Sequence, residues 1–239
     1  MKTLFRLLCV ATIFTFVACS PKSHEIWFKV SDDTDFITKY EKRRGWYILE
    51  LRDINIDRDN QSSIFGPYRK SKHITEVKLP SSIRKIDENA FNYCTGLKKI
   101  NIPKGVTIIE RRAFNNCSSL TSIEIPEGVT IIEELTFFDC SSLERVRTPK
   151  SVQMIKEMAF QDCVSLKSIE LPNVILVGED AFAHCYGLTS VELPNVNIIE
   201  DCAFSNCHSL TNVKVSSSAG IKRSAFNNCE NLAKIERIK

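Results

Sequence analysis

The chain has 239 residues, of which 43% are hydrophobic and 26% are charged, and its formal net charge is +3. This composition is that of a folded protein, so it excludes a disordered chain, a collagen-like fibre and a protein that crosses a membrane many times. Residues 1–18 contain Lys2 and Arg6 and no acidic residue, so the rest of the chain is close to neutral. There is therefore no electrostatic reason to expect nucleic acid or an acidic lipid surface as a partner.

The first eighteen residues are predicted to be a secretory signal peptide. Two basic residues precede an apolar run that ends at Ala18, and this run is too short to be a transmembrane helix. The sequence Phe16-Val17-Ala18-Cys19 resembles the lipobox of bacterial lipoproteins, in which a Cys after small residues is diacylated once the signal peptide is removed. The resemblance implies lipidation of Cys19. The alternative is a plain secretory signal followed by an incidental cysteine.

The main feature of the remaining chain is a repeat of 22–23 residues. A cysteine recurs at steps of 23, 23, 23, 22, 22 and 22 residues, each with a Phe three residues before it and a Leu three residues after it. The clearest units continue as Leu-x-x-Ile-x-Ile-Pro, as in residues 120–126. A fixed period of this length is typical of a repeat architecture. The repeated cysteines are Cys94, Cys117, Cys140, Cys163, Cys185, Cys207 and Cys229.

Two degenerate units precede the seven clear ones. Residues 68–80 keep part of the apolar pattern one period upstream, and residues 51–56 keep only the strand pattern. We therefore predict a signal peptide over 1–18, a lipid-anchor linker and N-terminal cap over 19–50, and a repeat domain over 51–239. A cap is expected because the first unit of an array would otherwise expose its apolar face.

Each repeat is predicted to form one turn of a coil. The alternation of apolar and polar residues after each Leu indicates a half-buried strand, and strands one period apart can pair in parallel only if the chain returns once per unit. A single unit cannot fold alone. Its apolar residues contribute roughly 1.5–3 kcal/mol each when buried, whereas ordering each of its residues costs about 1–2 kcal/mol in backbone entropy. Stacking lets each unit bury the faces of two neighbours.

The repeated residues described above resemble the leucine-rich repeats of the BspA-like kind over about residues 51–239. The resemblance implies an α/β-type solenoid that is mostly β, coiled to the right, with a parallel sheet on its concave face. It also implies short extended or 3₁₀ segments on the convex side. Proteins of this kind include bacterial surface adhesins, so the resemblance implies protein binding.

The cysteine column has three possible interpretations. Zinc sites need four converging ligands, usually in close pairs, whereas the cysteines of the column are 22 or 23 residues apart. Disulfides are geometrically possible, because stacked neighbours lie about 4.8 Å apart and an exported protein permits them. However, seven residues cannot all pair, and neighbours in a column point the same way. We expect free, buried thiols that donate weakly to backbone carbonyls.

No catalytic or cofactor-binding motif is found in the sequence. The four histidines are scattered, and there is no Gly-x-Ser-x-Gly, His-Glu-x-x-His or glycine-rich phosphate loop. We therefore expect a protein that is not an enzyme and that uses neither a cofactor nor a metal.

The exposed positions of the predicted strands are the candidate binding surface. They alternate with the buried positions, two and four residues after each Leu, and two basic residues share one strand beside glutamates in the neighbouring strands. The alternative is that opposite charges in a stacked column only neutralise one another. The candidate residues are Lys99, Asn101, Ser122, Glu124, Arg145, Arg147, Ser168, Glu170, Ser190, Glu192, Asn212 and Lys214, with Lys234 and Glu236 in the last strand.

These features predict a non-enzymatic, lipid-anchored protein of the bacterial envelope, exported to the outer membrane or cell surface. Its partner would be a protein: either a host matrix or plasma protein or, if it is an envelope scaffold, a protein of the same cell. Membrane contact would occur through the lipid anchor only. The last predicted strand, residues 232–238, has no capping segment after it, so we also expect self-association through this edge or a neighbour that covers it.

Overall fold

A computed structural model describes residues 72–239 with their side chains, together with the backbone of three earlier strands: β1 (Glu25–Val30), β2 (Glu41–Arg43) and β3 (Trp46–Glu50). The predicted signal peptide, Cys19 and the degenerate strand pattern at 51–56 lie outside the described residues. Within that part of the chain all regular structure is β, and none of it is a helix long and apolar enough to cross a membrane.

Each turn of the chain contributes one strand to a parallel sheet, which we call the long sheet. Its strands pair in chain order without a shift in register, so equivalent residues of successive repeats lie side by side. The predicted mostly-β solenoid is confirmed. The strands of the long sheet are β8 (Ser122–Glu124), β10 (Arg145–Arg147), β12 (Ser168–Glu170), β14 (Ser190–Leu193), β16 (Asn212–Ser216) and β18 (Ile235–Ile238).

A second sheet carries the N-terminal strands. Strand β4 (Ile74–Lys78) pairs in parallel with β6 (Lys99–Asn101). On its other side β4 pairs antiparallel with β1, which in turn pairs antiparallel with β3. The strand order is β2-β3-β1-β4-β6, so the segment before the repeats adds antiparallel strands to the edge of the first parallel pair.

The opposite side of the coil carries two-residue strands that also stack in parallel. Consecutive i→i+3 backbone hydrogen bonds follow each of these strands, for example from the amide of Cys140 to the carbonyl of Phe137 at 3.2 Å. The short strands are β5 (Lys85–Ile86), β7 (Ile108–Ile109), β9 (Ile131–Ile132), β11 (Met154–Ile155), β13 (Leu176–Val177), β15 (Ile198–Ile199) and β17 (Gly220–Ile221).

These turns do not merge into a 3₁₀ helix because left-handed residues interrupt them. Asp139 and Asp162, two residues after the repeat Phe, have φ of 52° and 60°. Asn, Asp and His are the side chains that tolerate this conformation best. Backbone geometry therefore favours the polar residues that hold this position after Tyr93 in the first turn, namely Asn116, Asp139, Asp162, His184, Asn206 and Asn228. A second left-handed position, two residues before the Phe, also holds Leu135 and Met158, so this conformation does not require a polar side chain.

The core consists of columns of identical or similar side chains. The repeat phenylalanines form one continuous parallel stack, with centroids of successive rings 5.1–5.4 Å apart and ring planes within 13° of parallel. Rings of this size dominate the burial of apolar surface in a core. The stack runs through Phe91, Phe114, Phe137, Phe160, Phe182, Phe204 and Phe226.

Both strand ladders are interrupted between the same two turns. Among the described residues, β6 is not paired with β8, and β7 is not paired with β9. Contacts elsewhere in these turns hold the two parts together: the rings of Phe114 and Phe137 stack at 5.4 Å, and Arg111 Nε lies 3.2 Å from Glu134 Oε2. The coil therefore joins an N-terminal sheet to the long sheet through side chains and turns.

Candidate binding face on the long sheet

The strands arrange the predicted candidate residues in two columns on one face. In each three-residue strand the middle residue is buried and both flanking residues are exposed. Adjacent strands are about 4.8 Å apart, so neighbours in a column are close enough to act on one ligand. The first column holds Lys99, Ser122, Arg145, Ser168, Ser190 and Asn212; the second holds Asn101, Glu124, Arg147, Glu170, Glu192 and Lys214. Lys99 and Asn101 belong to β6, on the far side of the interrupted ladder, and the other residues belong to the long sheet.

Arg145 and Arg147 lie on β10, in the middle of these columns. Arg145 is directly opposite Ser122 and Ser168, and Arg147 is opposite Glu124. Both arginines are exposed, and within residues 72–239 neither has an ion-pair partner within 4.0 Å. Exposed charges at longer range attract each other only weakly, by about 0–1 kcal/mol. The guanidinium groups are therefore available to a ligand.

Shallow depressions lie over the same face. One of about 720 Å³ is lined by the Arg pair, by glutamates of the flanking strands and by Thr148 and Pro149. Another, of about 500 Å³, lies over β12 to β16 and includes Glu192 and Lys214. Since the walls include the strands β8, β10 and β12 together with the segments that follow them, binding at the strand residues would immobilise little additional chain.

Thr148 interrupts an apolar column directly behind Arg147. Equivalent positions in the adjacent turns hold Ile125 and Leu171, which are 3% and 1% exposed. The hydroxyl of Thr148 is buried and has no hydrogen-bond partner. A buried hydroxyl without a hydrogen-bond partner lowers stability, so the folded state is less stable at the turn that follows Arg145 and Arg147.

The cysteine column has a structural explanation. All the column thiols are free, and each Sγ after the first donates to the carbonyl of the Phe 25 or 26 residues earlier, at 3.0–3.2 Å. Burial raises the pKa of Cys94 and of Cys140 to about 12, and it also raises the pKa of Cys163. The predicted free, buried thiols that bond to backbone carbonyls are confirmed for Cys117 to Cys207, and thiols with raised pKa values are poor nucleophiles. Cys229 in the last turn is free but only partly buried, and its hydrogen bond with Cys207 lowers its pKa.

One polar pair was missed by the sequence analysis. His184 Nδ1 lies 3.0 Å from Asp162 Oδ1, and the ring of Tyr186 stacks on that of His208 at 5.3 Å. The 22-residue separation of Asp162 and His184 was an available signal, because it places both at the same repeat position. Asp162 and His184 lie at turns, where the left-handed backbone favours Asp and His. Within residues 72–239 no three His, Cys, Asp or Glu side chains form a group that could hold a metal ion.

Comparisons with known proteins agree with this architecture. A profile of the BspA type leucine rich repeat region matches residues 66–187 and 175–238, in six copies. A search of the curated proteins finds no match.

Several solved structures are similar to the chain. A leucine-rich repeat protein from Eubacterium ventriosum is 26% identical, with a TM-score of 0.58, over 63% of this chain and 41% of that one. One from Bacteroides ovatus is 30% identical, with a TM-score of 0.51, over 70% and 56%. The T. pallidum leucine rich repeat protein is 29% identical, with a TM-score of 0.53, over 69% and 73%. The chain thus spans less than half the length of the first of these proteins.

Proposed function

Because the chain belongs to the BspA-type leucine-rich repeat family, whose solenoids serve as scaffolds for protein–protein interaction, we propose that it is a non-enzymatic binding protein that recognises another protein through the exposed face of the long sheet. The observation that carries this proposal is the pair Arg145 and Arg147. Both side chains are exposed on a rigid strand and are without an ion pair among residues 72–239. Arginine is one of the residues that most often dominate binding energy at protein interfaces.

The binding test compares two charge reversals of equal size. Arg145→Glu with Arg147→Glu is expected to abolish capture of a purified partner, because it replaces attraction by repulsion at the centre of the face. Lys222→Glu with Arg223→Glu makes the same charge change at exposed positions directly after the short strand β17 and serves as the control. Wild-type affinity in the first variant would refute a binding site on this face. Equal losses in both would show only a general charge effect.

We further propose that the protein is exported and held at the bacterial cell surface by a lipid on Cys19, where it adheres to host or neighbouring-cell proteins. Support comes from the charged start, the apolar run and the Cys at its end. Two acyl chains hold a protein stably in a membrane, whereas one holds it marginally. Cys19→Ala should therefore move the protein from the membrane fraction to the soluble fraction or block its processing. Cys9→Ala, inside the apolar run, should not; membrane association unchanged by Cys19→Ala would contradict lipidation.

The second candidate function is a scaffold inside the envelope that binds a partner of the same cell. The two functions differ in exposure to the outside. Protease added to intact cells that express the protein should remove the repeat domain if it is an adhesin. A repeat domain that survives until the outer membrane is broken would favour the scaffold.

Self-association is a further part of the proposal. Strand β18 pairs with β16 on one side and with no other strand of the described residues, and apolar side chains of its turn, Leu232 and Ile235, are only partly buried. An uncovered edge strand is a template for pairing. Sedimentation of the 239-residue chain at increasing concentration should show a shift from monomer to dimer. A sharp monomer throughout would count against pairing through this edge.

A further inference from the structure

The two columns of the binding face differ in charge. The first column contains Lys99 and Arg145 and is otherwise neutral, and the exposed Lys234 occupies the same repeat position in the last turn. The second column contains three glutamates, Glu124, Glu170 and Glu192, together with the basic residues Arg147 and Lys214. The face is therefore divided lengthwise, with a basic and hydroxyl-rich row beside a row whose acidic residues outnumber its basic ones. A ligand that interacts with both rows must itself be asymmetric in charge.

We propose that the first column binds an extended, acidic segment of a protein partner that runs along the axis of the solenoid, across the strands. This inference rests on the proposed function and adds the chemistry and direction of the bound segment. Its carboxylates would pair with the basic side chains of the first column. The hydroxyl groups of Ser122 and Ser168, which flank Arg145 in register, would donate to the same carboxylate. Charge-assisted hydrogen bonds of this kind are stronger than bonds between neutral groups.

The spacing of the basic residues selects a conformation for the segment. Alternate turns of the long sheet, such as those of Arg145 and Ser190, are about 9.6 Å apart at the usual strand separation. Lys99 lies two turns before Arg145 and lines one depression with it. In a polyproline II helix, residues three apart lie on the same side and are separated by about 9.3 Å. A segment with an acidic residue at every third position would therefore match alternate turns. In a flat β-strand, residues on one face are about 6.8 Å apart and would lose the match after one step.

The neighbouring charges fix where the segment lies. The glutamates of the second column repel an acidic row, so the segment cannot shift sideways onto them. On the other side of Arg145, Glu144 Oε2 lies 3.5 Å from Lys167 Nζ, so its charge is partly compensated.

The test uses synthetic peptides and fluorescence polarisation. A labelled peptide of four Glu-Pro-Pro units carries an acidic residue at every third position in a polyproline II conformation. The control peptide has the same composition with its four glutamates clustered at one end. We expect the periodic peptide to bind at least fivefold more tightly than the clustered one, and added salt to weaken its binding.

Two variants with equal charge change locate the peptide on the face. Lys99→Glu with Arg145→Glu alters the first column and should weaken binding at least tenfold. Arg147→Glu with Lys214→Glu alters the second column and should weaken it less than threefold. Equal losses in the two variants, equal binding of the two peptides, or tighter binding of a heparin fragment than of the periodic peptide would each overturn the inference.

The inference and the proposed function fail in different ways. If the peptide does not bind but a protein partner is lost in the variant Arg145→Glu with Arg147→Glu, the acidic-segment inference is wrong and the binding face stands. If the partner ignores that variant, the proposed function is wrong, whatever the peptide does.

Discussion

The hydroxyl of Thr148 allows a stability prediction whose sign is unusual. Replacing Thr148 by Val keeps the shape of the side chain and removes an oxygen that is buried without a hydrogen-bond partner. Leaving such a group unpaired costs about 1–3 kcal/mol. Because the residue as a whole is partly exposed, the lower end of this range applies. We therefore expect Thr148→Val to stabilise the folded chain by about 1 kcal/mol.

Thr136 in the preceding repeat provides the matched control. It is fully buried like Thr148's hydroxyl, but its Oγ1 donates to the carbonyl of Glu133 at 2.7 Å. Thr136→Val removes the same atom with the same change of shape, and it breaks a hydrogen bond worth about 0.5–1.5 kcal/mol. The two substitutions should therefore change stability in opposite directions.

Chemical denaturation measures both effects. The midpoint in guanidinium chloride should rise for Thr148→Val and fall for Thr136→Val, with an unchanged slope, since a changed slope would indicate loss of cooperativity in the array. In a thermal melt, 1 kcal/mol corresponds to about 2–4 °C for a domain of this size. A lower midpoint for Thr148→Val would refute the reasoning, because it would mean that the hydroxyl is satisfied in solution.

Three further predictions concern the core, the thiols and the interrupted ladders. Phe160→Ala should destabilise the fold by about 3–5 kcal/mol. Phe226→Ala, at the partly exposed end of the stack, should lower the free energy of unfolding clearly less in the same denaturation experiment. Equal losses in the two variants would show that the stack does not govern stability. Stability should fall between pH 9 and about 12, because the thiols of the unfolded chain ionise from 9.0 while burial keeps the pKa of Cys94 and Cys140 at about 12. A denaturation midpoint that stays flat up to pH 11 would contradict this. In hydrogen exchange, the amides of Thr121 and Thr130 should exchange faster than those of Glu144 and Gln153. The latter two amides donate to the preceding turn at 3.0 and 2.8 Å. Equal protection of the two pairs would show that the ladders continue from β6 to β8 and from β7 to β9.

The spacing of residues along the chain is enough to predict the coil, its period and its core. A solenoid places equivalent residues of successive repeats in one column, so a residue type that recurs every 22–23 positions shares one environment along the whole array. This is why the burial of Phe160 and Cys163 and the exposure of Arg145 and Arg147 could all be predicted from spacing alone. The signal peptide, the lipid on Cys19 and the adhesive role remain predictions from the sequence.

The residues that depart from the repeat pattern could be understood only from the folded coil. The sequence shows that Thr136 and Thr148 break their columns, but only distances between turns show that one hydroxyl is bonded and the other is not. Likewise the sequence places Arg147 beside glutamates, yet whether they pair depends on side-chain conformations that no periodicity specifies. The interruption between β6 and β8 has the same origin. Spacing fixes which residues are neighbours, whereas hydrogen bonds and ion pairs depend on a few tenths of an ångström between those neighbours.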